Sequence, residues 1–184
     1  RETLIMAVVK ADAYGHGMKR VAQTLKSAGC DRFAVALPEE GKQLREDGFS
    51  LPIQVLGEVL PKQIPILINY NLIPTISKME TVEEINTLAE KRNKKKKVHI
   101  KIDTGMGRIG VLPKNALEFI IKIKKLSHIE IEGLITHFAK ADDSNKEYTI
   151  KQWEKFKGVT NELSKKGIDI PLKHAANSAA VIDL

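Results

Sequence analysis

Seven short, β-prone apolar runs alternate with helical patterns along this chain of 184 residues, and that alternation constrains the fold more than any other feature. The runs are LIMAVVK (4–10), RFAVAL (32–37), PIQVLG (52–57), LIPTIS (72–77), VHIKID (98–103), IEGLIT (131–136) and PLKHAA (171–176). Most are near-continuous in apolar character, as strands covered on both faces must be. Strict β/α alternation implies parallel strands joined by right-handed crossovers. Two architectures satisfy it, an open doubly wound sheet and a closed α/β barrel. No glycine-rich phosphate fingerprint follows the first run, which weighs against a dinucleotide-binding sheet. Polar residues gather instead where strands end: Lys10, Lys101 with Asp103, His137 and His174. A barrel of the TIM type, (β/α)8, places its chemistry there. Such a barrel has eight strands and typically about 250 residues. Seven runs therefore mean either an open sheet or a barrel lacking one strand.

Six segments separate the runs. Val21, Ala22, Leu25 and Ala28 form a helical stripe that Gly29 stops. PEEGKQLRED (38–47) opens with proline and two acids. SKMETVEEINTLAEKR has Ser77 and Glu80 at capping-box spacing. PKNALEFIIKIKKL begins at Pro113, and Trp153, Phe156, Val159 and Leu163 mark a stripe on a last long helix. The weakest segment is 61–69, where Pro65 interrupts a short apolar stretch.

The formal charge is +7, but six basic residues lie in KRNKKKK (91–97). Without them, 24 basic residues face 23 acidic ones. The run has no aromatic residue and sits between a helical and a strand pattern, so it reads as a solvated loop and not as a nucleic-acid surface. Cys30 is the single cysteine, which excludes an internal disulfide and suits a reducing, cytoplasmic setting. No apolar stretch reaches the roughly 20 residues a membrane span needs, and no signal peptide is read. The chain opens on arginine and enters a strand pattern almost at once, so a cut or processed start is expected.

Four stretches carry residues suited to chemistry. In AVVKADAYGHG (7–17), Lys10 shares a strand face with Leu4, Met6 and Val8 by period-two alternation. An amine there is either a partly desolvated nucleophile toward a carbonyl or a lysine snorkelling from a strand end. Tyr14 lies in a glycine-containing turn, either presenting its hydroxyl to an anion or capping apolar surface. KIDTGMGRIG (101–110) offers Arg108 from a glycine-rich loop, for a carboxylate or phenolate oxygen or simply for solvent. LITHFAKAD (134–142) puts His137 at a strand exit, a position structural or catalytic. In HAANSAA (174–180), Asn177 and Ser178 fit a helix N-cap, and Ser178 equally fits a phosphate. No Cys/His cluster has metal spacing, so no metal is expected.

In this order and spacing, AVVKADAYGHG, KIDTGMGRIGV, EGLITHFAKAD and HAANSAA resemble the N-terminal barrel of bacterial alanine racemase, from near residue 4 to the chain end. The resemblance implies a (β/α)8 TIM-type barrel with about seven of its eight strands present. It implies a single domain over 1–184 that is incomplete at both ends and lacks the family's C-terminal β-domain. It implies pyridoxal 5′-phosphate (PLP) as cofactor, held by Lys10 as a Schiff base. Tyr14, Asn177 and Ser178 fall on cofactor-binding positions, the tyrosine and serine contacting its phosphate. Arg108 would meet the cofactor's phenolic oxygen and the substrate carboxylate. Lys101 would carry a carbamate that orients Arg108. His137 would support a further arginine behind the pyridine ring.

The activity implied is interconversion of L- and D-alanine by a cytoplasmic homodimer, supplying D-alanine for peptidoglycan, with neither nucleic acid nor membrane as partner. Lys10 moves the Cα proton on one face. The opposite-face base in that family is a tyrosine from the partner subunit's C-terminal domain, so the 184 residues alone are expected to be inactive. The alternative is a non-catalytic single-domain PLP-binding protein of the same barrel type, against which the lysine–arginine pair of KIDTGMGR argues. A PLP-dependent decarboxylase of related barrel fold finds no support in these motifs.

Overall fold

The computed structural model describes residues 3–184. Residues 1 and 2, where the sequence suggests a cut start, lie outside the described residues. The described residues form two compact units, one running up to residue 75 together with 84–96 and one of residues 76–83 with 97–184.

The first unit carries β1 (Met6–Val8), β2 (Arg32–Val35), β3 (Ile53–Val55) and all but the last residue of β4 (Ile73–Ile76). They are parallel neighbours in chain order, in register at Ala7↔Phe33, Phe33↔Ile53 and Val55↔Pro74. β2, β3 and β4 are buried throughout, which is why their sequences do not alternate. The short helical turn α1 (Lys10–Gly15), α2 (Met18–Ser27), α3 (Pro38–Glu46) and α4 (Ile64–Asn69) connect them. Phe33, Leu44, Ile53, Leu67 and Leu72 are fully buried, and the Phe33 and Phe49 rings meet edge-on with centroids 5.6 Å apart.

α5 (Met79–Lys91) leads into β5 (Lys96–Lys101). In the second unit β5 from residue 97 on, β6 (Ile129–Ile135) and β7 (Leu172–His174) lie side by side in that order. The register of β6 and β7 is parallel at Leu134↔Lys173. α6 (Pro113–Ile123) and α7 (Glu147–Lys165) connect them, and α8 (Ser178–Asp183) follows. α6 buries Ala116, Ile120 and Ile123, and α7 buries Gln152, Phe156, Val159 and Leu163. Both sets have the three- and four-residue spacing of one helix face.

All seven expected strands form, with ends shifted by a few residues. Four expectations fail for identifiable reasons. Lys10 is not on the face of β1: the strand ends at Val8, and Lys10 opens α1, half-buried. The run 91–97 is not wholly a solvated loop. Lys96 begins β5 and is only 4% exposed, its Nζ donating to Leu67 O at 2.9 Å and Asn71 Oδ1 at 3.3 Å. Pro65 does not interrupt 61–69. A 3-10 turn (Pro61–Gln63) runs into α4, where Pro65 sits in the first turn and its missing N–H is no loss. Trp153 is 43% exposed, and Gln152 takes its place on the buried stripe because its amide is fully hydrogen-bonded there.

Among the described residues no helix is long and apolar enough to cross a membrane.

Candidate functional site

Lys10 stands at the head of an unusual backbone. Ala11, Asp12, Ala13 and Tyr14 all have φ between 50° and 56° with positive ψ, a left-handed turn built without glycine. Left-handed helical residues with a Cβ cost roughly 1–2 kcal/mol each, so the turn persists only because its surroundings over-determine it. Ala13 N donates to Val9 O and Gly17 N to Asp12 O, each at 3.0 Å. Asp12 Oδ1 accepts from Met18 N at 2.7 Å, which caps α2. Glu40 Oε1 accepts from Ala11 N at 2.6 Å. The turn leaves Tyr14 60% exposed and puts the Lys10 Nζ 5.8 Å from its ring centroid. The sequence locates Lys10 and Tyr14, but no local signal in it marks Asp12 or Glu40 as the holders of their backbone.

In the second unit Lys101 ends β5 with its side chain buried. Its pKa is lowered from 10.5 to about 8, by burial first and then by Arg108, with Asp103 opposing the shift. A substantial neutral fraction near physiological pH follows, which an exposed lysine would not have. Arg108 is exposed on the following loop.

Asp103 shapes that loop. Its Oδ1 accepts from Gly105 N at 3.0 Å and Gly107 N at 3.1 Å, and its own N–H donates to Val111 O at 2.9 Å. Gly110 has φ 138°, and a Cβ there would fall 2.6 Å from Asp103 N, so no other residue fits. Tyr148 on α7 donates its hydroxyl to Gly105 O at 2.6 Å. The glycines and the aspartate of KIDTGMGRIG thus have structural roles, and what the loop offers outward is Arg108.

His137 lies two residues beyond β6 and is half-buried. A buried network fixes the chain around it. Thr104 and Thr136 hydroxyls meet at 2.8 Å, and Gln152 Nε2 donates to Thr104 Oγ1 at 3.3 Å and to His137 O at 3.1 Å. Gln152 Oε1 accepts from Ala139 N at 2.8 Å, so one amide joins the Arg108 loop to the His137 segment. Nothing in the sequence marked Gln152, a polar residue on a core stripe.

Asn177 caps α8: its Oδ1 accepts from Ala180 N at 3.0 Å and its Nδ2 donates to Phe138 O at 3.4 Å. Ser178 is the first residue of the helix. Deeper on β5, His99 Nε2 donates to Glu132 Oε2 at 3.0 Å, and its Nδ1 meets His174 Nε2 at 2.9 Å. Lys97 pairs with Glu132 Oε1 at 3.0 Å. Among the described residues no group of three or more His, Cys, Asp or Glu side chains is placed to hold a metal ion.

Parallel strands in chain order, joined by helices, with titratable side chains at their C-terminal ends, define the (β/α)-barrel class, here with seven strands. The chain belongs to the alanine racemase N-terminal domain family, whose pattern matches residues 1–184. Over 179 residues it is 62% identical to the alanine racemase of Halothermothrix orenii, covering 97% of this chain and 47% of that protein. With the alanine racemase of Methanococcus maripaludis it shares 47% identity over 180 residues, 97% of this chain and 48% of the relative. The solved alanine racemase of Clostridium difficile 630 superposes with a TM-score of 0.97 at 41% identity, covering all of this chain and 51% of that one. The chain thus spans about half the length of the relatives it matches.

Proposed function

We propose that the full-length protein to which these residues belong interconverts L- and D-alanine, with PLP held covalently by Lys10. The observation that carries the reading is the family match over residues 1–184 at up to 62% identity among the relatives described. It also supports reading those residues as one cofactor-binding domain. The donor set fits the cofactor. An aldehyde calls for a reachable amine, and Lys10 is half-buried at the head of an exposed turn. A phosphate calls for hydroxyl donors, and Tyr14 is exposed while Ser178 opens a helix. A phenolate or carboxylate calls for a guanidinium, and Arg108 is exposed on an ordered loop.

PLP bound there would supply an electron sink that acidifies the substrate Cα–H. The Lys10 amine, set free when the substrate amine takes its place, would move that proton on one face. Arg108 holds the substrate carboxylate by paired N–H donors. Lys101 carries a carbamate: the neutral amine forms an N–C bond to CO₂ and releases a proton to solvent. The product is an anion in place of a cation near Arg108, which orients the guanidinium. Asn177 acts by capping the helix that begins with Ser178, and His137 by supporting an arginine from outside these residues. Tyr14 follows Lys10 by four residues in the same turn and is poorly placed as the opposite-face base; the family resemblance assigns that role to a tyrosine of a partner subunit in a homodimer. The product serves peptidoglycan synthesis in the cytoplasm.

The test is D-alanine formation from L-alanine by the purified full-length protein with PLP, followed by borohydride reduction and peptide mapping. The pyridoxyl group belongs on Lys10, and Lys10→Ala abolishes turnover. Label on another lysine, or undiminished turnover by Lys10→Ala, overturns the reading.

A further inference from the structure

The peptide that joins Lys10 to Ala11 is gripped from 29 residues away. Its N–H donates to Glu40 Oε1 at 2.6 Å. The other carboxylate oxygen accepts from Ala36 N at 2.7 Å and Leu37 N at 2.9 Å, the residues that lead from β2 into α3. One anion therefore ties three backbone donors, and it ties the turn after Lys10 to the exit of the neighbouring strand. Bonds from backbone N–H to a carboxylate are about twice as strong as neutral ones.

The far end of the turn has its own anchor, Asp12, whose Oδ1 accepts from Met18 N. At the near end Val9 N donates to Ala34 O of β2 at 2.9 Å, but within the turn itself the i to i−4 bond from Ala13 N to Val9 O is local. Glu40 is what ties the Lys10–Ala11 peptide, beyond Val9, to a distant element. Pinning the Lys10–Ala11 peptide fixes ψ of Lys10, and so the direction in which its side chain leaves the backbone.

We propose that Glu40 is a positioning residue for Lys10, holding the left-handed turn and thereby the orientation in which the amine reacts. The role rests on Lys10 being the cofactor lysine. Glutamine cannot replace it in full, because its amide has one oxygen for three donors and would turn an NH₂ group toward a backbone N–H. Glu39 is the built-in control. It is exposed, and both its oxygens accept from Gln63 Nε2 at 2.9 Å, away from the turn.

The test uses the full-length protein with Glu40→Gln, Glu40→Ala and the control Glu39→Gln. Hydrogen exchange of residues 11–14 is read without cofactor, and the rate of borohydride-trapped pyridoxyl incorporation at Lys10 with it. Loss of one such bond predicts roughly tenfold faster exchange in 11–14, with exchange elsewhere within about twofold. Trapping at Lys10 slows and kcat falls by about tenfold or more, while KM for alanine changes little. Glu40→Ala is worse than Glu40→Gln, and Glu39→Gln matches the parent. Trapping and kcat within about twofold of the parent for both Glu40 variants would overturn the proposal. So would loss of protection spread evenly over the protein, since Glu40 would then be a general stabiliser. Pyridoxyl on a different lysine would refute the assignment of Lys10, and the exchange of residues 11–14 would still decide whether Glu40 holds the turn.

Discussion

His99 and His174 meet ring to ring, Nδ1 to Nε2 at 2.9 Å, with His99 1% exposed. With the Glu132 carboxylate accepting from the His99 Nε2–H, a neutral His99 accepts at Nδ1 from the His174 Nε2–H. The floor of the pair is Gly133, where a Cβ would lie 2.6 Å from the His99 ring.

Gly133→Ala therefore pushes His99 off both partners at once. Overpacking of this kind costs roughly 1–3 kcal/mol. Urea unfolding of the full-length protein should show a lower midpoint with an unchanged slope. A midpoint equal to the parent's would mean the imidazole moves aside without loss.

Lys101 is neutral in substantial part near pH 8, and Arg108 is one reason. Removing Arg108 raises the Lys101 pKa and also takes away the cation that would pair with a carbamate. Both effects act in one direction. With ¹³C-bicarbonate, the carbamate signal at pH 8 should be strong in the parent, absent in Lys101→Met, and clearly reduced in Arg108→Met. An equal signal in Arg108→Met and the parent counts against the pairing.

Lys96 has its pKa lowered from 10.5 to about 7, by burial first and then by Arg45 and Lys94. Between about pH 7 and 10.5 the unfolded chain holds a proton that the folded chain does not. Unfolding then takes up a proton, so stability from this group rises with pH through that window and is flat below it, where both states are charged. The ceiling is roughly 5 kcal/mol over the whole window. Lys96→Met should flatten the rise in unfolding midpoint between pH 7 and 9; an unchanged rise assigns it to other groups.

Ala11 sits at φ 50°, ψ 54° and is exposed. A β-branched residue there meets its own backbone, so Ala11→Val should destabilise by roughly 1–3 kcal/mol. Ala11→Gly should stay within about 0.5 kcal/mol of the parent, because relief of the left-handed strain offsets the added freedom of the unfolded chain. Thermal unfolding of the full-length protein separates the two. Equal loss in both would show that the side chain, and not its φ, matters.

Much of this protein was legible along the chain. The apolar runs located all seven strands, because a strand covered on both faces needs continuous apolar sequence wherever it sits. The glycines of KIDTGMGRIG foretold a tight loop, and HAANS a capped helix, because turns and caps are set within a few residues. Tertiary structure decided the rest. No local signal in Lys-Ala-Asp-Ala-Tyr asks for four left-handed residues; acceptors on Asp12 and on distant Glu40 hold them there. Lys96 looks like its basic neighbours until Leu67 and Asn71 supply oxygens to its amine. Gln152 displaces Trp153 from the core stripe only because Thr104, His137 and Ala139 converge on its amide. Periodicity and turn chemistry are properties of neighbouring residues, whereas a buried polar group is tolerated only when the fold brings it partners from elsewhere in the chain.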